Sequence, residues 1–250
     1  MSDERPFGIP LSDDVLARRA RLPAKPDPVT LEGKRVRLRP LDLEHDVAPL
    51  HAVSNGEPAT LGERRVGAYD ADAEIWRYMP AGPFVDAAGL GGYLRGLAET
   101  PNLLPLCVED VATGQPVGVV TFMSNYPEHL KIELGNIWYT PLVQGTGANR
   151  EATYLMLEHA FGLGYRRVEW KCDALNARSR HTAERMGFTF EGIQQAHLIV
   201  KGRNRDTAWF AAIDTEWPLL RQAFEAWLSD DNQDAQGRQR RSLTQVRESL

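Results

Sequence analysis

The stretch KIELGNIWYTPLVQGTGANREATYLMLEHAFGLGY, Lys131–Tyr165, decides the fold. It begins with a run of β-forming residues, passes through a turn of glycines and small polar residues, and continues into an apolar helix. A strand that feeds a helix through Gln144, Gly145, Thr146, Gly147, Ala148 and Asn149 leaves free backbone amides where the helix dipole favours negative charge. A phosphate is the natural guest; the plainer alternative is a glycine turn that only starts a helix. The helix is expected to start near Asn149 or Arg150. Its apolar residues, Ala152, Tyr154, Leu155, Met156, Leu157, Ala160 and Phe161, run nearly all round it, so it should be clamped between the sheet and other elements.

Working outward, period-two alternation marks strands at Arg35–Arg39, Leu104–Glu109 and Val117–Met123, which with Lys131–Tyr139 make an antiparallel meander. Val168, Trp170 and Cys172 alternate with Glu169, Lys171 and Asp173 in a further strand, and a helix from about Ala177 to Met186 is ended by Gly187. Phe188–Gly192 and Asp206–Ile213, joined by a turn-rich link containing KGRN, close a mixed sheet. Residues 1–30, with Pro6, Pro10, Pro23, Pro26 and Pro28, read as an arm lying over one main domain at 31–228. Residues 229–250 carry almost no large apolar side chains and read as a mobile polar tail.

The chain of 250 residues is 42% hydrophobic and 25% charged, ordinary for a soluble globular protein. A net charge of −5 offers nucleic acid no broad basic surface and favours an amine-bearing partner. Cys107 and Cys172 sit among apolar neighbours and read as buried thiols of a reducing compartment. No apolar run is long enough to span a membrane and no signal-peptide order opens the chain, so a cytoplasmic location is expected.

Two phosphate-binding patterns fail on particular residues. No Gly-Lys-Ser/Thr ends the loop, as a P-loop requires, and Arg150 stands where a dinucleotide fingerprint needs its third glycine. Gln144–Asn149 instead resembles the Q/R-x-x-G-x-G/A loop of the GNAT superfamily of N-acetyltransferases, with Asn149 replacing the final small residue but able to cap the helix. NARSRHTAERMGFTFEG, Asn176–Gly192, is similar to that family's N-x-x-S helix and following strand. The likeness runs from about Val36 to Ile213, and WYTPLVQGTGANREA, EWKCDALNARS and RMGF resemble the RimJ/RimL-type branch.

The resemblance implies a GNAT-like α/β fold whose mixed, mostly antiparallel central sheet is flanked by helices. It implies acetyl-coenzyme A as acyl donor, with no metal, and a primary amine as acceptor, either a small molecule or a protein N-terminus. The backbone of Ile137, Trp138 and Tyr139 would face the pantetheine arm, the 144–149 loop would hold the pyrophosphate, and Asn176 and Ser179 would meet the arm and its sulfur. Ser179 would act as proton donor; for both residues the alternative is a plain helix cap. Glu133, on the strand leading into the loop, is the expected base, and simple alternation groups it with Gly135, Ile137 and Tyr139; the alternative is a structural carboxylate paired with Lys131 or another cation.

The stretch WRYMPAGPF, Trp76–Phe84, resembles a loop bordering the acceptor, although such aromatics also simply pack. KGRNRD, Lys201–Asp206, could meet an acidic acceptor or a coenzyme phosphate, or be a solvated hairpin turn. The six histidines, His159 on the apolar helix among them, show no metal-ligand spacing, and no G-x-S-x-G elbow is present, so direct transfer in a ternary complex is favoured over an acyl-enzyme. A non-catalytic acyl-coenzyme A-binding regulatory module is the alternative function, and a nucleotide-binding oxidoreductase a more remote one. The Pro-rich arm could cross to a second subunit of a homodimer.

Overall fold

The expected antiparallel meander forms. The computed structural model describes residues 10–234, 236 and 238–250. Along them run α1 (Asp13–Arg18), β1 (Leu31–Glu32), β2 (Val36–Pro40), α2 (Val47–Ala52), β3 (Ala59–Leu61), β4 (Arg64–Val66), a π-helical turn (Asp72–Trp76), α3 (Ala87–Glu99), β5 (Leu104–Asp110), β6 (Gln115–Tyr126) and β7 (Lys131–Tyr139). After these come α4 (Ala148–Leu163), β8 (Arg167–Asp173), α5 (Ala177–Arg185), β9 (Thr189–Val200), β10 (Arg203–Ile213), α6 (Trp217–Leu228) and α7 (Leu243–Arg247). Eight strands make one sheet in the order β1-β2-β5-β6-β7-β8-β10-β9. Every pairing in it is antiparallel except β7 with β8, the pair that α4 connects.

Helices cover both faces. On one, Ala152, Met156, Leu157 and Ala160 of α4 pack with Phe224 and Trp227 of α6 and Leu243 of α7 over Leu106, Phe122, Leu134 and Phe210. Tyr154 and Phe161 lie on the outer side of α4, where Trp217 and Phe224 of α6 cover them, so α4 is clamped as its all-round apolarity demands. On the other face a smaller core joins Leu50 of α2 and Leu90 and Leu94 of α3 to Val119, Trp138 and Trp76.

One local irregularity decides which core each residue of β7 serves. Asn136 has φ +47°, and the β6–β7 ladder shifts register between Val119 and Thr121, the signature of a bulge. The extra residue inverts the alternation expected from sequence. Tyr139 joins Ile132 and Leu134 in the large core, while Trp138 points into the small one.

Two further expectations change. The sequence after Gly192 does not leave the sheet; β9 continues to Val200 and turns at Lys201-Gly202, both at positive φ, directly into β10. At the C-terminus, Leu243 and Val246 of α7 are buried, and Ser242 and Gln245 form a capping box. Two apolar residues on one face suffice to dock a segment whose overall composition is polar. In the expected N-terminal arm, residues 1–9, Pro6 among them, lie outside the described residues. Beyond them Leu22 is buried, Asn125 Nδ2 donates to the Pro23 and Ala24 carbonyls at 2.9 and 3.0 Å, and Lys25 Nζ donates to Ala98 O at 2.7 Å. Among the described residues no helix is long and apolar enough to cross a membrane.

Candidate active site

β7 and β8 stay paired only from Lys131↔Arg167 to Glu133↔Glu169, then diverge. Beyond Glu133 the β8-facing edge of β7 has lost its partner strand, and a cleft of about 700 Å³ opens between the two. At its end sits the glycine turn. Gly145 (φ +78°) and Gly147 (φ +93°) adopt the left-handed conformation that a side chain resists, and Gly147 is the residue from which α4 springs, without any side-chain cap. The first intrahelical bond there is Glu151 N–H to Gly147 O, at 3.0 Å, so the amides of Asn149 and Arg150 have no intrahelical acceptor. Asn149 is no cap: its Oδ1 accepts from Thr153 Oγ at 3.4 Å, one turn further on.

The helix start is electropositive beyond its dipole. Arg35 and Arg150 lie over the Trp227 ring, at 5.7 and 5.2 Å, and Arg150 and Arg185 both line the cleft. Burial, with Arg185 beside it, draws Arg150 below the usual arginine range. Among the described residues none of these three guanidiniums has a carboxylate partner. That leaves three guanidiniums without an ion-pair partner beside free amides, an arrangement suited to a polyanion.

The expected site residues converge only in part. Ile137, Trp138, Tyr139, Gln144, Gly145, Gly147, Asn149, Asn176, Ser179 and Glu133 all line the cleft. Thr146 turns its hydroxyl to Val143 O at 2.7 Å, and Ala148 packs into the large core, so neither side chain forms part of the wall. Asn176 does cap α5, its Oδ1 accepting from Ser179 N–H at 3.1 Å; among the described residues its Nδ2 donates to no protein group. Ser179 Oγ accepts from Trp170 Nε1 at 3.0 Å, which leaves its own proton to donate.

Glu133 is buried, and Lys171 Nζ stands 2.9 Å from its Oε2. The contact is close in distance but outside hydrogen-bond angles, leaving that oxygen without a formal partner. Burial raises the carboxyl above its ordinary range although Lys171 and Ser124 pull it down. Of the cations the alternative reading allowed, Lys131 pairs with Glu169 at 3.3 Å, and another base, Lys171, takes the place beside Glu133. Lys171 was legible as a strand residue but not as this partner, because the register that brings β8 beside β7 is set by tertiary packing.

Segment 72–80 roofs the cleft. Trp76 is buried against Phe84 and Trp138, each with ring centroids 5.0 Å away, whereas Tyr78, Met79 and Pro80 face the cleft. Arg178 of α5 reaches both Glu74 Oε2 (3.2 Å) and Gln144 Oε1 (3.1 Å); Tyr78 OH donates to Leu175 O (3.2 Å) and Lys201 Nζ to Trp76 O (2.7 Å). Loop, helix and hairpin tip are thereby tied across the opening. His159 lies beside Phe122, ring centroids 5.7 Å apart, and burial lowers its pKa. Among the described residues no group of His, Cys, Asp and Glu is arranged to hold a metal ion.

Comparison with known proteins matches residues 35–189 to the acetyltransferase (GNAT) domain. A solved GCN5-related N-acetyltransferase from Brucella melitensis is 38% identical over 90% of this chain and 96% of its own, with a TM-score of 0.81. A probable acetyltransferase of the GNAT family from Chromobacterium violaceum is 32% identical over 78% of this chain and 90% of its own, with a TM-score of 0.68. A Vibrio cholerae protein provisionally named a ribosomal-protein-serine acetyltransferase shares the fold at 19% identity, covering 76% of this chain and 99% of its own, with a TM-score of 0.59. No curated protein matches the sequence.

Proposed function

Because the chain belongs to the GNAT acetyltransferase family, we propose that it moves an acetyl group from acetyl-coenzyme A to a primary amine, by direct attack with donor and acceptor bound together. One observation carries the reading: diverging strands, an open glycine-turn helix start and a buried carboxylate share a single cleft. The coenzyme fits what the residues offer. Free amides at Asn149 and Arg150 with Arg150 and Arg185 suit its phosphates, the unpartnered edge of β7 near Ile137–Tyr139 suits the amide-bearing pantetheine arm, and Asn176 retains a free Nδ2 for it. When bound, the coenzyme supplies a thioester as the acyl source.

The chain's own residues then divide the work. Glu133 takes the proton of the attacking amine, directly or through one water, and its raised pKa places it nearer neutrality than an exposed glutamate. Ser179, its oxygen already accepting from Trp170 Nε1, offers a proton to the departing sulfur. The roof of Tyr78, Met79 and Pro80 excludes water that would compete with the amine. The RimJ/RimL-like motifs support a protein N-terminus as one acceptor class; the roofed cleft supports a small amine as the other.

Calorimetric titration with acetyl-coenzyme A tests the donor site. Gly145→Asp is the informative variant. A Cβ at Gly145 meets nothing within 4 Å and aspartate tolerates positive φ, so the fold should persist while a negative charge enters the turn. Affinity should fall by about tenfold or more. Equal binding by the variant would move the phosphates elsewhere. Gly147 is the poorer position to block, since a Cβ there lies 3.0 Å from Trp227 Cη2 and would disturb the core.

A further inference from the structure

Positive charge stands uncompensated at both ends of the cleft. Arg150 and Arg185 hold the end at the start of α4. At the other, where the β9–β10 hairpin borders the cleft, stands Arg205. Its Nε is buried without a hydrogen-bond partner, and among the described residues its guanidinium forms no ion pair. Leaving a guanidinium donor dry and unpaired is costly, and such groups concentrate where a ligand completes them.

Local geometry explains why no neighbour fills the role. The β9–β10 ladder shifts between Arg205 and Thr207, and the extra residues lie on β9: Leu198 faces Arg205, Gln194 faces Thr207, and Ala196 between them has φ +49°. Asp206, the nearest acid in sequence, turns its Oδ1 to Ala196 N–H at 2.8 Å and Asn204 Nδ2 at 3.0 Å. Asp173 receives Leu175 N–H at 2.8 Å, Glu133 faces Lys171, and Glu74 faces Arg178. Every carboxylate of the cleft is engaged, and Arg205 is left facing it. Leu198 stands directly opposite Arg205 in the ladder, and the cleft wall also carries the apolar side chains of Val200, Met123 and Ile75.

We propose that Arg205 is a specificity residue that receives a carboxylate of the acceptor, so that the acceptor is a small amino acid with an apolar side chain. The proposal rests on the acetyl-transfer reading and adds to it the class of amine. The coenzyme's phosphates belong at the α4 end, and Arg205 holds the opposite charge site for the second substrate. A guanidinium meets a carboxylate through two parallel bonds that an amide cannot reproduce, which makes the acid-to-amide comparison diagnostic.

The experiment measures thiol release from acetyl-coenzyme A with leucine, methionine and phenylalanine and with their amides, in wild type, Arg205→Met and Arg205→Lys. In wild type at least one acid should surpass its amide in kcat/KM by about tenfold or more, mainly through KM. Arg205→Met should abolish the preference, with the acids losing far more than the amides, and Arg205→Lys should restore part of it. Comparing ratios between variants cancels the different basicity of the acid and amide amines. Calorimetric titration of the same probes into the coenzyme A complex supplies a readout independent of turnover. Amides and acids acetylated alike, or a preference unchanged in Arg205→Met, would overturn the proposal and leave acetyl transfer standing. Absence of thiol release with all six probes, in a protein that still binds acetyl-coenzyme A, would overturn the amino-acid acceptor and leave acetyl transfer to another amine standing.

Discussion

Glu151→Ala should cost the protein about 3–5 kcal/mol, seen as a fall of about 10 °C in Tm. Glu151 is a buried carboxylate in the first turn of α4, and its oxygens accept from three successive backbone amides, Lys34 at 2.9 Å, Arg35 at 2.6 Å and Val36 at 3.0 Å. Three convergent N–H groups form a concave anion site, and the helix start adds its dipole, so the charge is stabilised where burial would otherwise expel it. Gly33 permits the wrap, since a Cβ there would lie 2.8 Å from Glu151 Cδ. Alanine strands three donors, Val36 N–H fully buried and those of Lys34 and Arg35 partly so, whereas Glu151→Gln keeps one acceptor and should lose about half as much. Because the same tie anchors the helix start in the cleft, coenzyme affinity should fall with stability. Thermal denaturation that moves by less than about 2 °C would show the amides have found other partners.

Glu133→Gln should lower kcat by about a hundredfold or more near neutral pH with little change in KM. The sign follows from the carboxyl's setting. Burial raises its pKa, and a base works only when ionised, so the wild-type rate should climb with pH through an inflection above the ordinary glutamate value of about 4.3. The glutamine variant should lose that limb altogether. Lys171 pulls the same pKa down from 2.9 Å, so Lys171→Met should move the inflection to higher pH, not lower. A glutamine variant whose pH profile matches wild type would reduce Glu133 to half of a structural ion pair.

What the sequence made legible was what depends on local period and on turn chemistry. Alternation in RVRLR and KIELGNIWY, and Gly145 and Gly147 before an all-round apolar helix, foretold the meander, the turn and the clamped α4. The misreadings share a cause, which is information held by another segment. IQQAHLIV looked like a link because β9 is a largely exposed edge strand, and edge positions need no clean apolar alternation. Leu243 and Val246 looked too sparse to order the C-terminal segment because the surface that receives them comes from elsewhere in the fold. Lys171 could be placed on a strand and Arg205 only in the turn-rich KGRNRD stretch, and their facing the cleft depends on one strand divergence and one bulge. Neither leaves a mark in composition.

The bulge at Asn136 gives β7 something like a reading frame. Downstream of it each side chain is delivered to the layer opposite to the one a regular strand would choose, so Trp138 and Tyr139 hold their places only by counting residues from Glu133. Drift by substitution is cheap here, because one apolar residue of similar volume replaces another with modest loss. Drift in length is not. Deleting a single residue between Glu133 and Trp138 would exchange the contents of two cores at once, delivering an indole to the helices of one face and a phenol to those of the other. Beyond Glu133 this strand is therefore expected to vary among apolar residues of similar volume while staying fixed in the number of its residues.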